Sequence, residues 1–313
     1  MPLRIIFCGT PAFAVPSLVA LASRPEFKVE GVVTQPDRPS GRGQALTKSP
    51  VKLAAEERRI PVFQPAKIKT PEGLGYFEKA KPDVVVIIAY GQIISTQLLA
   101  IPRLGWVNVH GSLLPKYRGA APIHWAIANG ETETGLTTMQ VEAGLDTGPM
   151  LLKYKAHIAP DETSPELYER LAQAAAPLIV ETLTGLEAGT LTLTPQDNAQ
   201  ATFAPILKKE DGRIDWFRTS ATIYDRMRGF QPWPGAFTTF RGAQCSLSGK
   251  PVVCESSGDP PGTISLRNDA LFVECGHGTT LRVDSVQREG RKRITAREFT
   301  NGERIAAGES FGG

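Results

Sequence analysis

Strand-like apolar runs alternate with amphipathic segments through the first 130 residues, and this alternation constrains the fold more than any other feature. The runs at 3–8, 29–34, 61–64, 83–89 and 106–110 have strand length, and the stretches at 15–22, 50–59, 71–81 and 120–129 are helical candidates. Strands joined through helices form βαβ units, which predicts an α/β fold with a Rossmann-like, doubly wound, mostly parallel sheet. The run VVVIIA at 84–89 is apolar at every position, as expected of a strand covered on both faces. The first strand ends in Gly9-Thr10-Pro11 with no G-x-G-x-x-G after it. Without the second and third glycines a backbone cannot approach a pyrophosphate, which excludes a nicotinamide enzyme.

Beyond His110 the pattern changes. Strands are expected at 135–141 and 150–158, on either side of a turn-rich segment at 142–149, followed by one helix over 164–187. Asp161 or Thr163 can cap that helix, and Gly189 lies past its end. Residues 190–205 are polar and irregular and read as a linker between a domain at 1–189 and another at 206–313. In the second, a short helix at 219–228 precedes closely spaced strand runs at 236–241, 244–247, 262–265, 271–275 and 280–286, with a last helix near Thr295. Punctuation by Gly, Asn and Asp at this spacing suggests a smaller antiparallel barrel.

Charge follows the same division. Residues 1–205 carry 19 Lys+Arg against 19 Asp+Glu, whereas residues 206–313 carry 16 against 13, so the whole excess of basic residues is C-terminal. It includes the run Arg288, Arg291, Lys292 and Arg293, which by itself is as readily a solvated loop face as a ligand surface. The four cysteines, Cys8, Cys245, Cys254 and Cys275, have no metal-ligand spacing and fit reduced thiols in a cytosolic protein. Arg4 and the apolar stretch after it imitate a secretory signal, but Gly9, Pro11 and Pro16 interrupt it. No membrane span is expected.

Ligands of doubly wound sheets bind beyond the carboxyl ends of the strands. There the sequence reads Asn108-Val109-His110-Gly111-Ser112, and strand alternation puts Asn108 and His110 on one face. An amide donor beside an imidazole suits acyl-type chemistry: one donates to a carbonyl oxygen that turns negative, the other shares that task or handles a proton. His124, His157 and His277 have helix, strand and turn settings and read as structural or exposed. Asp146 stands in AGLDTGP, where spacing alone indicates only a turn-forming aspartate. It gains meaning if it faces His110. Ser112 lacks a G-x-S-x-G elbow, so a serine triad is set aside.

These residues, with SLLPKYRGAAPI at 112–123 and GLDTG at 144–148, closely resemble the folate-dependent formyltransferase family. FCGTPAFAVPSL at 7–18, TQPDRPSGRG at 34–43, SPVK at 49–52, IAYG at 88–91, RIDW at 213–216 and PWPGAF at 232–237 extend the resemblance over nearly the whole chain, toward the branch acting on methionyl-tRNA. The resemblance implies 10-formyltetrahydrofolate as formyl donor, no metal, and the α-amino group of initiator methionyl-tRNA as acceptor. It makes Asn108, His110 and Asp146 the catalytic trio, and Ser112, Leu113, Leu114 and Pro115 the folate-touching segment. It also implies an OB-like tRNA-binding C-terminal domain, a loop at 38–48 with Arg38, Arg42 and Lys48 at the tRNA acceptor end, and phosphate attraction by Arg288, Arg291, Lys292 and Arg293. The expected protein is a cytoplasmic monomer. Three rivals stay open: a small amine as acceptor, water as acceptor, and a non-catalytic RNA-binding protein. The basic loop and C-terminal domain speak against the first, and the trio against the last.

Overall fold

The computed structural model describes residues 1–40, 45–253, 257–306 and 308–312. The chain divides into two compact units: Met1–Pro122 with Glu133–His157 and Glu166–Pro205, and Ile123–Thr132 with Ile158–Pro165 and Ile206–Gly313.

The first half of the chain runs β1 (Leu3–Gly9), α1 (Val15–Ala22), β2 (Phe27–Val33), β3 (Arg38–Ser40), β4 (Ala45–Thr47), α2 (Pro50–Glu57), β5 (Val62–Phe63), α3 (Pro71–Ala80), β6 (Val84–Ile88), α4 (Thr96–Leu99) and β7 (Trp106–His110). It continues through β8 (Arg118–Gly119), α5 (Pro122–Ala128), β9 (Glu133–Gln140), β10 (Met150–His157), α6 (Ser164–Ala188) and β11 (Phe203–Ala204). The main sheet has the order β10-β9-β7-β6-β1-β2-β5. Strands β5, β2, β1, β6 and β7 are parallel neighbours. The turn at 142–149 joins β9 and β10 as an antiparallel pair, and β9 is also antiparallel to β7. The strand order reverses between β1 and β6, which opens a crevice at their carboxyl ends and beside that of β7.

The chemistry of the chain explains these elements. Ile5, Ile6, Phe7 and Cys8 of β1 and Val84, Val85 and Val86 of β6 are fully buried, the mark of strands covered by helices on both faces. Burial pushes the Cys8 thiol well above its ordinary pKa, so it behaves as an inert small hydrophobe. Ser49 and Thr70 accept backbone N–H bonds at the starts of α2 and α3, each followed by proline at the first helical position. On one side of the sheet, Phe77 of α3 packs against Trp106 of β7 with ring centroids 5.2 Å apart. The indole N–H of Trp106 donates to the Leu98 carbonyl at 2.8 Å, so the start of β7 is fixed by packing and by hydrogen bonding.

Residues 190–205, irregular by sequence, run along this first unit. Met150 and Thr194 exchange two backbone bonds, and β11 adds in parallel to β8. The segment makes one 3-10 turn at Asn198–Gln200 and no long strand, yet its backbone is paired at Thr194 and at Thr202–Ala204.

The C-terminal part holds α7 (Ser220–Gly229), β12 (Phe237–Phe240), β13 (Ala243–Val252), β14 (Ile264–Arg267), β15 (Ala270–Cys275), β16 (Thr279–Arg288), β17 (Ile294–Thr295) and α8 (Ala296–Glu303). Its antiparallel sheet has the order β12-β13-β16-β15-β14, with β17 on β16. Among the described residues β12 and β14 do not pair, so the OB-like sheet is open in its hydrogen bonding. Its register shifts between Ser248 and Gly249, where a Cβ on the glycine would sit 2.2 Å from the Arg282 carbonyl oxygen. Phe240, Leu247, Val273, Leu281, Phe299 and Phe311 fill its core. Cys245 and Cys275 are free and buried there, and Cys254 lies outside the described residues.

Phe77→Ala removes a fully buried ring beneath β7, and should cost about 3–5 kcal/mol in a denaturant titration of the purified protein. A loss under about 1 kcal/mol would show that β7 does not depend on this packing.

Candidate active site

Strand β7 ends at the crevice with Asn108 half-buried and His110 buried. The antiparallel register with β9 sets His110 opposite Thr137 and Asn108 opposite Met139. Among the described residues the Asn108 amide makes no side-chain hydrogen bond, leaving both of its N–H donors for a ligand.

His110 is held differently. Its Nε2 lies 2.9 Å from the Tyr117 carbonyl oxygen. A carbonyl only accepts, so Nε2 carries the hydrogen and donates it. In the neutral ring Nδ1 is then a bare lone pair. Facing it, 3.7 Å away, is Oδ2 of Asp146, in line with the spacing of an ion pair and too far for a hydrogen bond. The two side chains that sequence could relate only conditionally do meet. The ring, however, takes its orientation from a backbone carbonyl and not from the carboxylate.

Asp146 sits in the left-handed backbone region with φ 49°. Its Oδ2 accepts the Gly119 N–H at 2.9 Å. One short segment therefore grips both groups: the Tyr117 carbonyl takes the imidazole and the Gly119 amide takes the carboxylate. That segment is itself tightly fixed. Tyr117 N donates to Thr202 Oγ1 at 2.8 Å, and Ala120 N donates to the Ala204 carbonyl at 2.9 Å. Gly119 has φ 120°, and a Cβ there would lie 2.7 Å from the Ala204 carbonyl oxygen. Only glycine fits.

The SLLP segment divides in two. Ser112 and Leu114 are buried, and the Ser112 hydroxyl donates to the Lys116 carbonyl at 2.6 Å. Leu114 packs with Met139 and Met150. Thr137 Oγ1 donates to the Ser112 carbonyl at 2.7 Å and accepts the Leu114 N–H at 3.1 Å. Lys153 donates to the Leu114 carbonyl at 2.7 Å. These side chains build the turn, so the partly exposed Leu113 and Pro115 are the ones with surface to offer a ligand.

The remaining sequence candidates are dispersed. Arg38 and Lys48 flank a short hairpin of β3 and β4 where sequence suggested a loop, and Arg42 lies outside the described residues. Lys48 pairs with Glu56 at 2.7 Å. At the hairpin base, hydrogen bonds from Lys52 and Gln64 hold the Asp37 carboxyl below its ordinary pKa. Arg288 is half-buried and engaged by Glu303, whereas Arg291, Lys292 and Arg293 are exposed. No three His, Cys, Asp or Glu side chains come together as a metal set among the described residues. Sequence reading did not find Thr137, Thr202 or the Tyr117 carbonyl. Gly119 was the one visible signal, a glycine in a segment otherwise rich in larger residues.

Residues 3–183 match the family described as "Formyl transferase", and residues 206–304 match "Formyl transferase, C-terminal domain". Proteins named methionyl-tRNA formyltransferase from Geobacter metallireducens and Solibacter usitatus are each 50% identical over 310 residues, covering 99% of this chain and of theirs. Among solved structures, an N-formyltransferase from Helicobacter canadensis with folinic acid and dTDP-3-aminofucose is similar, with a TM-score of 0.65 at 19% identity, covering 92% of this chain and all of that one. HypX from Aquifex aeolicus with tetrahydrofolic acid aligns with a TM-score of 0.62 at 16% identity, over 99% of this chain and 49% of its own. At these identities the two structures speak for the fold alone.

Thr137→Val keeps the shape of the side chain but leaves the buried Ser112 carbonyl and Leu114 amide without their partner. A stability loss of about 1–3 kcal/mol is expected by urea unfolding. An unchanged midpoint would show that the turn at 112–115 does not need this hydroxyl.

Proposed function

The chain belongs to the formyl transferase family, with both its N-terminal and its C-terminal domain, and from that premise we propose that it transfers the formyl group of 10-formyltetrahydrofolate to the α-amino group of methionyl-initiator tRNA. The observation that carries this reading is that Asp146 faces His110, two residues after Asn108 on the same strand, in a chain half identical over 99% of its length to enzymes named for that reaction. Proteins of similar fold that bind tetrahydrofolic acid or folinic acid support a folate-derived donor. Identity of 50% over 99% of the chain to proteins named methionyl-tRNA formyltransferase favours tRNA over a small amine as acceptor.

The uncharged amine attacks the formyl carbon on N10 of the donor and produces a tetrahedral intermediate with an oxyanion. An N–H of Asn108 stabilises that oxygen as its charge grows; one such donor is worth about 2.7–4 kcal/mol. Nδ1 of His110 takes the proton from the attacking nitrogen. The resulting imidazolium has two N–H groups, one on the Tyr117 carbonyl and one directed at the Asp146 carboxylate, whose charge stabilises it. Collapse breaks the carbon–N10 bond, and the released nitrogen takes up the proton held by the His110 imidazolium, regenerating tetrahydrofolate and the neutral ring. The substrate amine is itself the nucleophile, so no serine or cysteine is required.

Leu113 and Pro115 supply the surface offered to the folate. In this reading Arg38, Arg42 and Lys48 serve the tRNA acceptor end, and Arg291, Lys292 and Arg293 attract phosphates. Among the described residues no helix is long and apolar enough to cross a membrane. The enzyme acts as a cytoplasmic monomer in this reading.

The decisive assay incubates the protein with 10-formyltetrahydrofolate and charged initiator tRNA and measures formylmethionine, beside a reaction without tRNA. Formyl release that is independent of tRNA would make it a hydrolase. Asn108→Ala should lower kcat by about 10²–10³ with little change in either KM. A pure KM effect would contradict the oxyanion role. Replacing Arg291, Lys292 and Arg293 together by Ala should flatten the dependence of log affinity for tRNA on log salt by about 1 for each phosphate that is no longer neutralised. An unaltered slope in a binding titration removes the phosphate role.

A further inference from the structure

The segment carrying Asp146 has little apolar material to hold it in place. Residues 142–145 are exposed, with Leu145 at 61%, and Asp146 has the left-handed φ that non-glycine residues adopt only at a cost. Polar contacts define it instead, and two of them come from one side chain. Gln196 Nε2 donates to the carbonyl of Asp146 at 2.8 Å and to that of Gly148 at 2.7 Å. Its Oε1 accepts from Nε and Nη2 of Arg118 at 3.0 and 2.8 Å. Arg118 is 4% exposed, and its Nη2 also donates to Asn198 Oδ1 at 2.9 Å.

The orientation of this amide is forced. A guanidinium only donates and a carbonyl only accepts, so a flipped Gln196 would set donors against donors and acceptors against acceptors. The contacts close a ring. From the Asp146 carbonyl they pass through Gln196 to Arg118, then to Gly119, whose N–H returns to the Asp146 carboxylate. Asp146 is thus held by its backbone and by its side chain at once.

We infer that Gln196 is a positioning residue for formyl transfer, holding the Asp146 carboxylate opposite Nδ1 of His110 through the backbone on which Asp146 stands. This rests on the reading of Asn108, His110 and Asp146 as the formyl-transfer site. Among the described residues Gln196 makes no hydrogen bond to His110 or Asn108, so its effect on the reaction passes through Asp146. Placement errors near 1 Å at a reacting group cost about 10²-fold in rate.

The test is a double-mutant cycle with kcat and KM measured for both substrates. Gln196→Met keeps the length and removes every polar contact. Gln196→Glu keeps an acceptor for Arg118, and so keeps the fold satisfied, but turns an oxygen toward the two loop carbonyls. Both should lower kcat by about 10–100-fold while the KM values stay within about threefold. In an Asp146→Asn background, either change should lower kcat by less than about twofold further. Wild-type kcat in both Gln196 variants, or effects that multiply in the double variants, would overturn the inference. If Asp146→Asn alone leaves kcat unchanged, the reading of the site itself fails and the inference falls with it. That result is separable from the others because it needs no Gln196 variant.

Discussion

A backbone carbonyl has no hydrogen to give, so the contact of His110 Nε2 with Tyr117 settles which ring nitrogen is protonated and which way the other one faces. Everything reactive in the site follows from that choice. The free nitrogen looks at a carboxylate, and the carboxylate is tied to the amide two residues beyond the same carbonyl. The imidazole and the carboxylate each bond to a backbone group of the same short segment, which ties their placement to one another. Electrostatic stabilisation works best when the groups are placed before charge appears, and a common support supplies that order without a third catalytic side chain.

The sheet contributes rigidity. Strand β7 lies between β6 and β9: Asn108 is paired on both edges, and His110 on the β9 edge. Thr137 on β9 then ties the outgoing turn back to the sheet. The reactive side chains thus stand on a paired strand, and only Asp146 depends on a loop. That loop is where additional polar support is concentrated.

What could be read from sequence follows the same physical division. Buried parallel strands leave apolar runs, and β1 and β6 were visible for that reason. Strand alternation put Asn108 and His110 on one face. Asp146 was recognisable as a constrained aspartate, but nothing in a one-dimensional pattern relates it to His110, because the contact is made through the Tyr117 and Gly119 backbone. Ser112 and Leu114 were grouped with a ligand-touching segment, although a polar serine gives no sign that its hydroxyl is satisfied internally. The largest omission was 190–205. A segment held by scattered side-chain and backbone bonds has no period, so it resembles a connection even where, as at Thr194, Gln196 and Thr202, it is part of the catalytic unit's framework.

Chain order gives this framework a consequence in time. A nascent polypeptide emerges from its amino end, so the three reactive side chains are all present once residue 146 has appeared. The glutamine that bears on the Asp146 backbone follows some fifty residues later, behind the whole of α6, and the strand that pins Tyr117 and Gly119 comes later still. The amino-terminal family match ends at residue 183, before either of them. A fragment cut at that point keeps Asn108, His110 and Asp146 and loses the supports that place them, so the framework of the site reaches past the family match to Ala204.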